Sequence, residues 1–208
     1  MMPWEIVGPS AQLKLMPIQI GQKPSPTFQQ PLELLSDCHR RVESFLRALI
    51  LVAERGRGGE LNSQEREALE TALRYFREAA PKHTADEEES LFPRMRELGD
   101  DSAREAMAKI QALEADHEVA KEGHDAVERL GRKWLAEGRL AEDEMSQLLS
   151  HLQKLQSIYE RHIAVEDNEI FPLARQILDT KALTDVGREM AERRGQNFEW
   201  LKGVRRSR

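Results

Sequence analysis

Cysteine is almost missing from this chain of 208 residues, because Cys38 is its single example. One cysteine excludes an intramolecular disulfide framework and every site built from several thiolates, such as a cysteine zinc finger or an iron–sulfur cluster. Aromatic residues are also scarce, and no apolar run approaches the roughly 18–20 residues that a membrane span needs. The first residues lack the basic and then apolar pattern of a signal peptide, so we expect a cytoplasmic protein without a membrane partner.

Basic residues are outnumbered by acidic residues, 31 to 37, which gives a formal net charge of −6. A chain with this charge is not expected to bind nucleic acid, because phosphate contacts need clustered lysine and arginine. Charged residues make up 33% of the chain, above the roughly 25% that is typical of globular proteins. High charge together with many good helix formers indicates an all-α protein.

Hydrophobic periodicity predicts four long helices within residues 31–177. The predicted helices are roughly 31–56, 63–92, 100–138 and 141–171, with a kink or a brief interruption at Pro81. Helices of this length joined by short loops predict an up-down-up-down four-helix bundle. Residues 1–30 contain five prolines and are expected to form an irregular N-terminal arm. Residues 178–208 are expected to form an additional C-terminal helix, at about 182–202, and a basic tail.

Two His-x3-Glu pairs interrupt the apolar faces of the second and fourth helices. Residues four apart share one face of an α-helix, so His83 is expected to face the core together with Glu87. His162 and Glu166 repeat this spacing. An ionised glutamate on a core face is costly unless a partner neutralises it, and a metal ion would satisfy a histidine and a glutamate together.

The two pairs belong to an internal repeat. The fourteen residues that begin at His83 align without a gap to those that begin at His162, and six of the positions are identical. His39 lies 44 residues before His83, and His117 lies 45 residues before His162. Two helical hairpins of nearly equal span therefore each carry the pattern His…His-x3-Glu. Such a repeat predicts pseudo-two-fold symmetry, with the ligands aimed at one central point.

Four imidazoles and two carboxylates are donors that suit iron or manganese and, less specifically, zinc. Six protein ligands exceed the needs of one tetrahedral zinc, yet they saturate two octahedral ions only if carboxylates bridge and solvent completes each shell. We therefore predict a dinuclear site in which the glutamates bridge, the histidines are terminal, and an oxo or hydroxo group joins the metals. At least one coordination position stays open. The predicted ligands are His39, His83, Glu87, His117, His162 and Glu166.

These motifs resemble the hemerythrin-like, or HHE cation-binding, domain family over about residues 31–177. The resemblance is carried by His39, His117 and the runs His83-x3-Glu87…Leu91-Phe92-Pro93 and His162-x3-Glu166…Ile170-Phe171-Pro172. It implies a four-helix bundle with a non-haem di-iron centre that binds dioxygen, or in relatives handles nitric oxide, peroxide or iron itself. We accordingly expect two iron ions as the cofactor, with manganese or zinc as alternatives.

Two departures from the family pattern concern the ligands. Oxygen-carrying hemerythrins have a fifth histidine four residues after the one that matches His117, where this chain has Lys121. Their last carboxylate is an aspartate five residues after the last histidine, whereas here Glu166 follows His162 at four residues and Asp167 at five. The missing imidazole should leave a further open position. This favours redox reactivity, sensing or iron handling over reversible oxygen carriage.

Three more side chains are candidates for contacts around the ligands, namely Tyr159, His124 and Lys121. Tyr159 lies one turn before a predicted ligand, so its hydroxyl would reach a bound molecule or the metal; ordinary core packing is the competing interpretation. His124 is too far along its helix to be a direct ligand. Glu88 and Glu89 are expected to face solvent, and no catalytic residue is assigned.

Three functions are compatible with these residues. The first is a binding or sensing module that takes dioxygen or nitric oxide at the open position. The second is a redox enzyme, an oxidase or peroxidase-like activity, at the same centre. The third is iron storage or donation to damaged iron centres. All three need the same ligands, so the sequence does not separate them, and a helical bundle without metal is the remaining alternative.

Overall fold

The computed structural model of the chain describes residues 26–98 and 101–198, with the backbone alone for residues 101–105. The helices are α1 Pro31–Gly56, α2 Ser63–Glu78, α3 Ala80–Ala85, α4 Phe92–Glu97, α5 Asp101–Glu137, α6 Glu142–Val165, α7 Phe171–Ile177 and α8 Thr180–Arg193. Two π-helical segments connect them: the first π segment, Asp86–Leu91, joins α3 to α4, and the second π segment, Glu166–Ile170, joins α6 to α7. The predicted arm up to residue 25 and the basic tail from residue 199 lie outside the described residues.

The all-helical prediction is confirmed for the part of the chain that the structure describes. α1 and α5 run without interruption over nearly the predicted ranges. The second predicted helix breaks at Ala79, two residues before Pro81, because the proline is accommodated in the first turn of a new helix. α2 begins with a capping box: the Glu65 N–H donates to the Asn62 side chain, and the Asn62 N–H donates to the Glu65 carboxylate.

The long helices enclose two apolar clusters rather than one. α1 packs against α2 and α6, and α5 packs against the same two helices. Buried side chains in the first cluster include Val42, Leu73, Val127 and Leu152. Those in the second cluster include Leu35, Phe92, Ile110 and Phe171. The boundary between the clusters is polar, because His39 lies between Leu35 and Val42 on α1 and His117 between Leu113 and Ala120 on α5. The candidate ligands therefore occupy a polar layer between two apolar ones.

α8 is an integral part of the second cluster. Val186 and Met190 are fully buried there, and the helix contacts α1 and the first π segment. A Cβ added at Gly187 would lie 1.8 Å from the carbonyl oxygen of Phe28, so this close approach of two backbones needs glycine. The C-terminal helix thus closes the end of the molecule that holds the second cluster.

The expected end of this helix near residue 202 is wrong. α8 ends at Arg193, because Gly195 adopts a left-handed conformation with φ +66°. The Gly195 N–H donates to the Glu192 carbonyl and the Gln196 N–H donates to the Ala191 carbonyl, which is the Schellman pattern that terminates helices. None of the helices in the described ranges combines the length and the apolar character that crossing a membrane requires.

Candidate metal centre

Each His-x3-Glu pair leads into a π segment, and a proline accounts for the change of geometry. The N–H of the residue before Pro93 donates to the carbonyl of Glu87, five residues earlier, and the residue before Pro172 does the same to Glu166. A proline inside a helix has no N–H to donate, and its ring crowds the carbonyl four residues earlier. A wider π turn relieves that crowding. The internal repeat therefore gives both glutamates the same backbone setting.

Four histidines and two glutamates converge in the polar layer. The glutamates are fully buried and the histidines nearly so. The Nε2 atom of each histidine faces a glutamate oxygen, at 3.1 Å for His39 and Glu166, 3.4 Å for His83 and Glu87, 3.5 Å for His117 and Glu87, and 3.1 Å for His162 and Glu166. Each glutamate thus faces one histidine from each helical hairpin.

The structure brings all six predicted ligands together in two overlapping groups. His39 and His83 form one group with both glutamates, and His117 and His162 form the other with the same glutamates. Within each group, one ligand atom from every residue lies within 4.8 Å of the others. The groups share only the two carboxylates. Each group could hold a metal ion, and both groups draw on the same two carboxylates.

The unpartnered atoms of the cluster fit a metal ion. All four carboxylate oxygens of Glu87 and Glu166 are buried and make no well-aligned hydrogen bond, although histidine Nε2 atoms lie 3.1–3.8 Å from them. Nε2 of His39 and the Nδ1 atoms of His83 and His162 are likewise buried without such a bond. Buried polar atoms normally have partners, and leaving one without costs about 1–3 kcal/mol, or more for a charged group. Imidazole and carboxylate are the donors that iron, manganese and zinc accept. The residues present therefore fit a cation centre.

Comparison with known proteins decides the family. The hemerythrin HHE cation-binding domain model matches residues 30–174. The chain belongs to the hemerythrin family. A protein of Haemophilus influenzae, described as uncharacterized, is 30% identical over 169 residues, which cover 81% of this chain and 92% of the relative. The resemblance that the motifs indicate is thereby confirmed, and the matched region ends before α8.

Burial and mutual contact in this hemerythrin-family cluster disfavour the ionisation of both glutamates at once. Burial and the neighbouring Glu166 raise the pKa of Glu87 well above its ordinary value. Burial also acts on Glu166, but contacts with His162 and His39 outweigh it and lower the pKa of that carboxyl. Burial and the other histidines lower the pKa of His83 well below its ordinary value. Two buried carboxylates in contact are costly to ionise together, and a cation between them removes that conflict.

Two further carboxylates hold the outer nitrogens of histidine rings. Oδ1 of Asp167 lies 3.1 Å from Nδ1 of His39 and also accepts a hydrogen bond from the Ser36 hydroxyl at 2.7 Å. Oε1 of Glu88 lies 2.7 Å from Nδ1 of His117. Burial lowers the pKa of His39, but Asp167 and the buried glutamates outweigh it and raise the pKa to about 12. A carboxylate on Nδ1 orients the ring so that Nε2 points into the cluster.

These outer contacts cross between the two halves of the repeat. Glu88 follows Glu87 directly and holds a histidine of the second hairpin, while Asp167 follows Glu166 directly and holds a histidine of the first. The expectation that Glu88 faces solvent is therefore wrong, since the π turn lets consecutive residues reach the polar layer. A signal is present in the sequence, because the repeat has a carboxylate after the glutamate in both halves.

Tyr159 and His124 form a hydrogen-bonded pair beside the cluster. Nε2 of His124 lies 2.8 Å from the Tyr159 hydroxyl, and the His124 ring stacks on Phe76 with centroids 4.3 Å apart. The Tyr159 ring lies 6.4 Å from that of His162. The pair thus packs against the first apolar cluster and touches the ligand layer from that side.

Lys121 lies on the surface of α5 rather than around the ligands. Its side chain is 72% exposed, and its ammonium group contacts Asp125. The buried position one turn after His117 belongs to Ala120, which packs in the first apolar cluster. The structure therefore does not bring Lys121 to the other predicted site residues.

The burial of His124 in its neutral form should make the stability of the folded protein fall with pH. Burial lowers the pKa of His124 to about 4 from its ordinary value of 6.5. Between these values the unfolded chain binds a proton that the folded protein does not, so this histidine increasingly destabilises the fold as the pH falls. We expect His124→Phe, which keeps a ring against Phe76, to be less sensitive to acid. Its free energy of unfolding, relative to that of the wild type, should rise by about 2 kcal/mol between about pH 7.5 and pH 5.

Denaturant unfolding of both metal-free proteins at the two pH values measures this gain. The lost hydrogen bond to Tyr159 adds a constant difference at both values and does not alter the expected change. A stability difference between variant and wild type that is the same at both pH values would contradict a buried neutral His124.

Proposed function

We propose that this chain binds two iron ions and uses an open coordination position on them to take dioxygen or nitric oxide. The observation that carries the proposal is the pair of overlapping ligand groups, which share two fully buried glutamates and nothing else. A single ion would leave one histidine pair unused. The sharing of both carboxylates instead favours two ions side by side.

Each residue of the cluster has a distinct part in this proposal. One ion takes His39 and His83, and the other takes His117 and His162. Both glutamates would hold the two ions together, because they belong to both ligand groups, and solvent would complete the ligand set. Glu88 and Asp167 keep two of the rings oriented, one on each ion, because they hold Nδ1 and leave Nε2 free to coordinate.

The proposed ligand arrangement also favours an up-down-up-down bundle. α1 with the α2–α4 segment forms the first hairpin, and α5 with the α6–α7 segment forms the second. Each long helix would then supply ligands to the centre from the same level along its axis. The packing of α1 and α5 each against both α2 and α6 supports this topology.

The surroundings of the cluster favour a small ligand over a large substrate. Iron bound here would supply redox chemistry and an open position for a diatomic molecule. The side chains hold that position in an apolar environment, because the ligand layer lies between two buried apolar clusters. A cavity of about 140 Å³ between α1 and α6 has Tyr159 in its wall, and that ring lies 6.4 Å from His162. The Tyr159 ring thus belongs both to the wall of this cavity and to the surroundings of the ligand layer.

Metal content and the visible spectrum test the proposal together. Protein loaded with ferrous iron without oxygen should retain about two ions per chain, since two carboxylates are shared between two metal positions. Its visible spectrum should change when nitric oxide or air is admitted, because a ligand at the open position changes the electronic transitions of the iron. Elemental analysis and absorption spectroscopy measure both quantities.

Several outcomes would contradict this proposal. One tightly held zinc, or no metal after loading, would exclude a dinuclear iron centre. Two irons with a spectrum indifferent to nitric oxide and air would exclude the open position. Iron that passes readily to a chelator while the fold survives would favour iron storage or donation instead.

Substitution of the shared carboxylates should affect both ions. We expect Glu87→Gln and Glu166→Gln each to lower iron content from about two ions to one or fewer per chain, because a bridging ligand contacts both metals. Glu169→Gln is the matched control: it lies in the second π segment, is exposed, and contacts Lys109 rather than the cluster. Glu88→Gln keeps the side-chain size but weakens the hold on His117, so its effect should lie between these extremes.

Elemental analysis after gel filtration measures the iron content of all four variants. Equal iron content in the glutamine variants at 87, 166 and 169 would contradict the proposed bridging role.

A further inference from the structure

A fully buried aspartate stands directly before the first shared glutamate. Asp86 is the first residue of the first π segment and has no solvent exposure. Its carboxylate accepts hydrogen bonds from Arg193 at 2.9 Å and from Arg194 at 2.6 and 3.1 Å. Both arginines lie at the C-terminal end of α8. We call these three residues the α8 clamp.

The contacts of α8 extend along the π segment on either side of Glu87. Arg193 also donates to the Ser90 hydroxyl at 2.7 Å, and it contacts the exposed carboxylate of Glu89 at 3.2 Å. Arg94 donates to the Ser90 carbonyl and forms a two-point ion pair with Glu189 of α8. The π segment that contains Glu87 is therefore bound to α8 through the side chains of Asp86, Glu89 and Ser90.

The internal repeat supplies a comparison within the same chain. Val165 occupies the position equivalent to Asp86, directly before Glu166, and packs against the second apolar cluster. A helix at this position therefore accepts an apolar residue. A buried aspartate costs desolvation and holds its place only with good partners. The family match ends at residue 174, so the partners come from an element beyond the matched domain.

We propose that Asp86 is a positioning residue for Glu87, and that the α8 clamp slows exchange of the metal ions bound by the cluster. The proposal rests on the proposed function, because it needs a bound metal. Metal leaves when ligands detach in turn, and a ligand on a fixed backbone re-forms its bond sooner than one on a mobile backbone. Glu87 belongs to both ligand groups, so its fixation acts on both ions.

Release of cobalt(II) from the full chain to an excess of EDTA tests the inference without any activity measurement. Cobalt(II) binds the same nitrogen and oxygen donors, somewhat more tightly than ferrous iron, and its visible bands report coordination directly. We expect Asp86→Asn and Arg194→Ala to release cobalt about tenfold faster than the wild type, the lower end of the roughly 10–100-fold effects of removing groups that orient metal ligands directly. Arg194→Lys keeps one donor and should be intermediate.

Two controls separate positioning from general stability. Lys181→Ala removes an exposed ion pair with Asp185 at the other end of α8 and should leave the release rate unchanged. Leu61→Ala removes a buried side chain of the first apolar cluster, away from the π segments. It should lower the melting temperature without speeding release.

Release at the wild-type rate from both clamp variants would overturn the inference while leaving the proposed function intact. Release that follows the melting temperature in every variant, Leu61→Ala included, would also overturn it. A wild-type chain that takes up neither cobalt nor iron would overturn the proposed function, and the inference with it.

Discussion

Two glutamate carboxylates meet fully buried in the interior of this molecule, and their burial is the constraint on which the rest of the structure depends. An ionised carboxylate loses several kcal/mol on transfer from water to a protein interior, even after the surroundings relax. The total stability of a domain is only about 5–15 kcal/mol, so two such penalties need a partner of opposite charge. Imidazoles must be neutral to bind a metal, so as ligands the four histidines would supply dipoles but no charge. In the proposed centre, a pair of divalent cations between the glutamates and the histidines would satisfy the unpartnered carboxylate oxygens of the cluster.

Other features of the fold follow from the need to present these ligands. The apolar core is divided into two clusters, because each long helix must place a polar ligand between apolar neighbours. Pro93 and Pro172 widen the helix after each glutamate, and the widened turn lets the next residue, Glu88 or Asp167, hold a histidine of the opposite hairpin. Each hairpin thereby orients a ligand that belongs to the other. The centre and the packing of the two hairpins depend on the same contacts.

Much of this site is predictable from the sequence, because a His-x3-Glu spacing on an apolar face is costly to bury without a metal and the repeat doubles it. The six predicted ligands therefore meet in space. The helical period does not predict the π turns. A proline stands six residues after each glutamate, but the hydrophobic pattern does not show how the helix accommodates it. The contact of Glu88 with His117 depends on the π turn, so the helical period does not predict that contact either. The surface position of Lys121 and the end of α8 differ from the expectations, because packing of one helix face and a left-handed Gly195 decide them.

Anomalous X-ray diffraction from crystals of the iron-loaded protein locates the metal ions without reference to activity. We expect two iron peaks about 3.5–4 Å apart, as in other two-metal sites. One peak should lie beside His39 and His83, the other beside His117 and His162, and both should contact the shared glutamates. A single peak, or peaks outside the layer between the two apolar clusters, would exclude a dinuclear centre at these six residues.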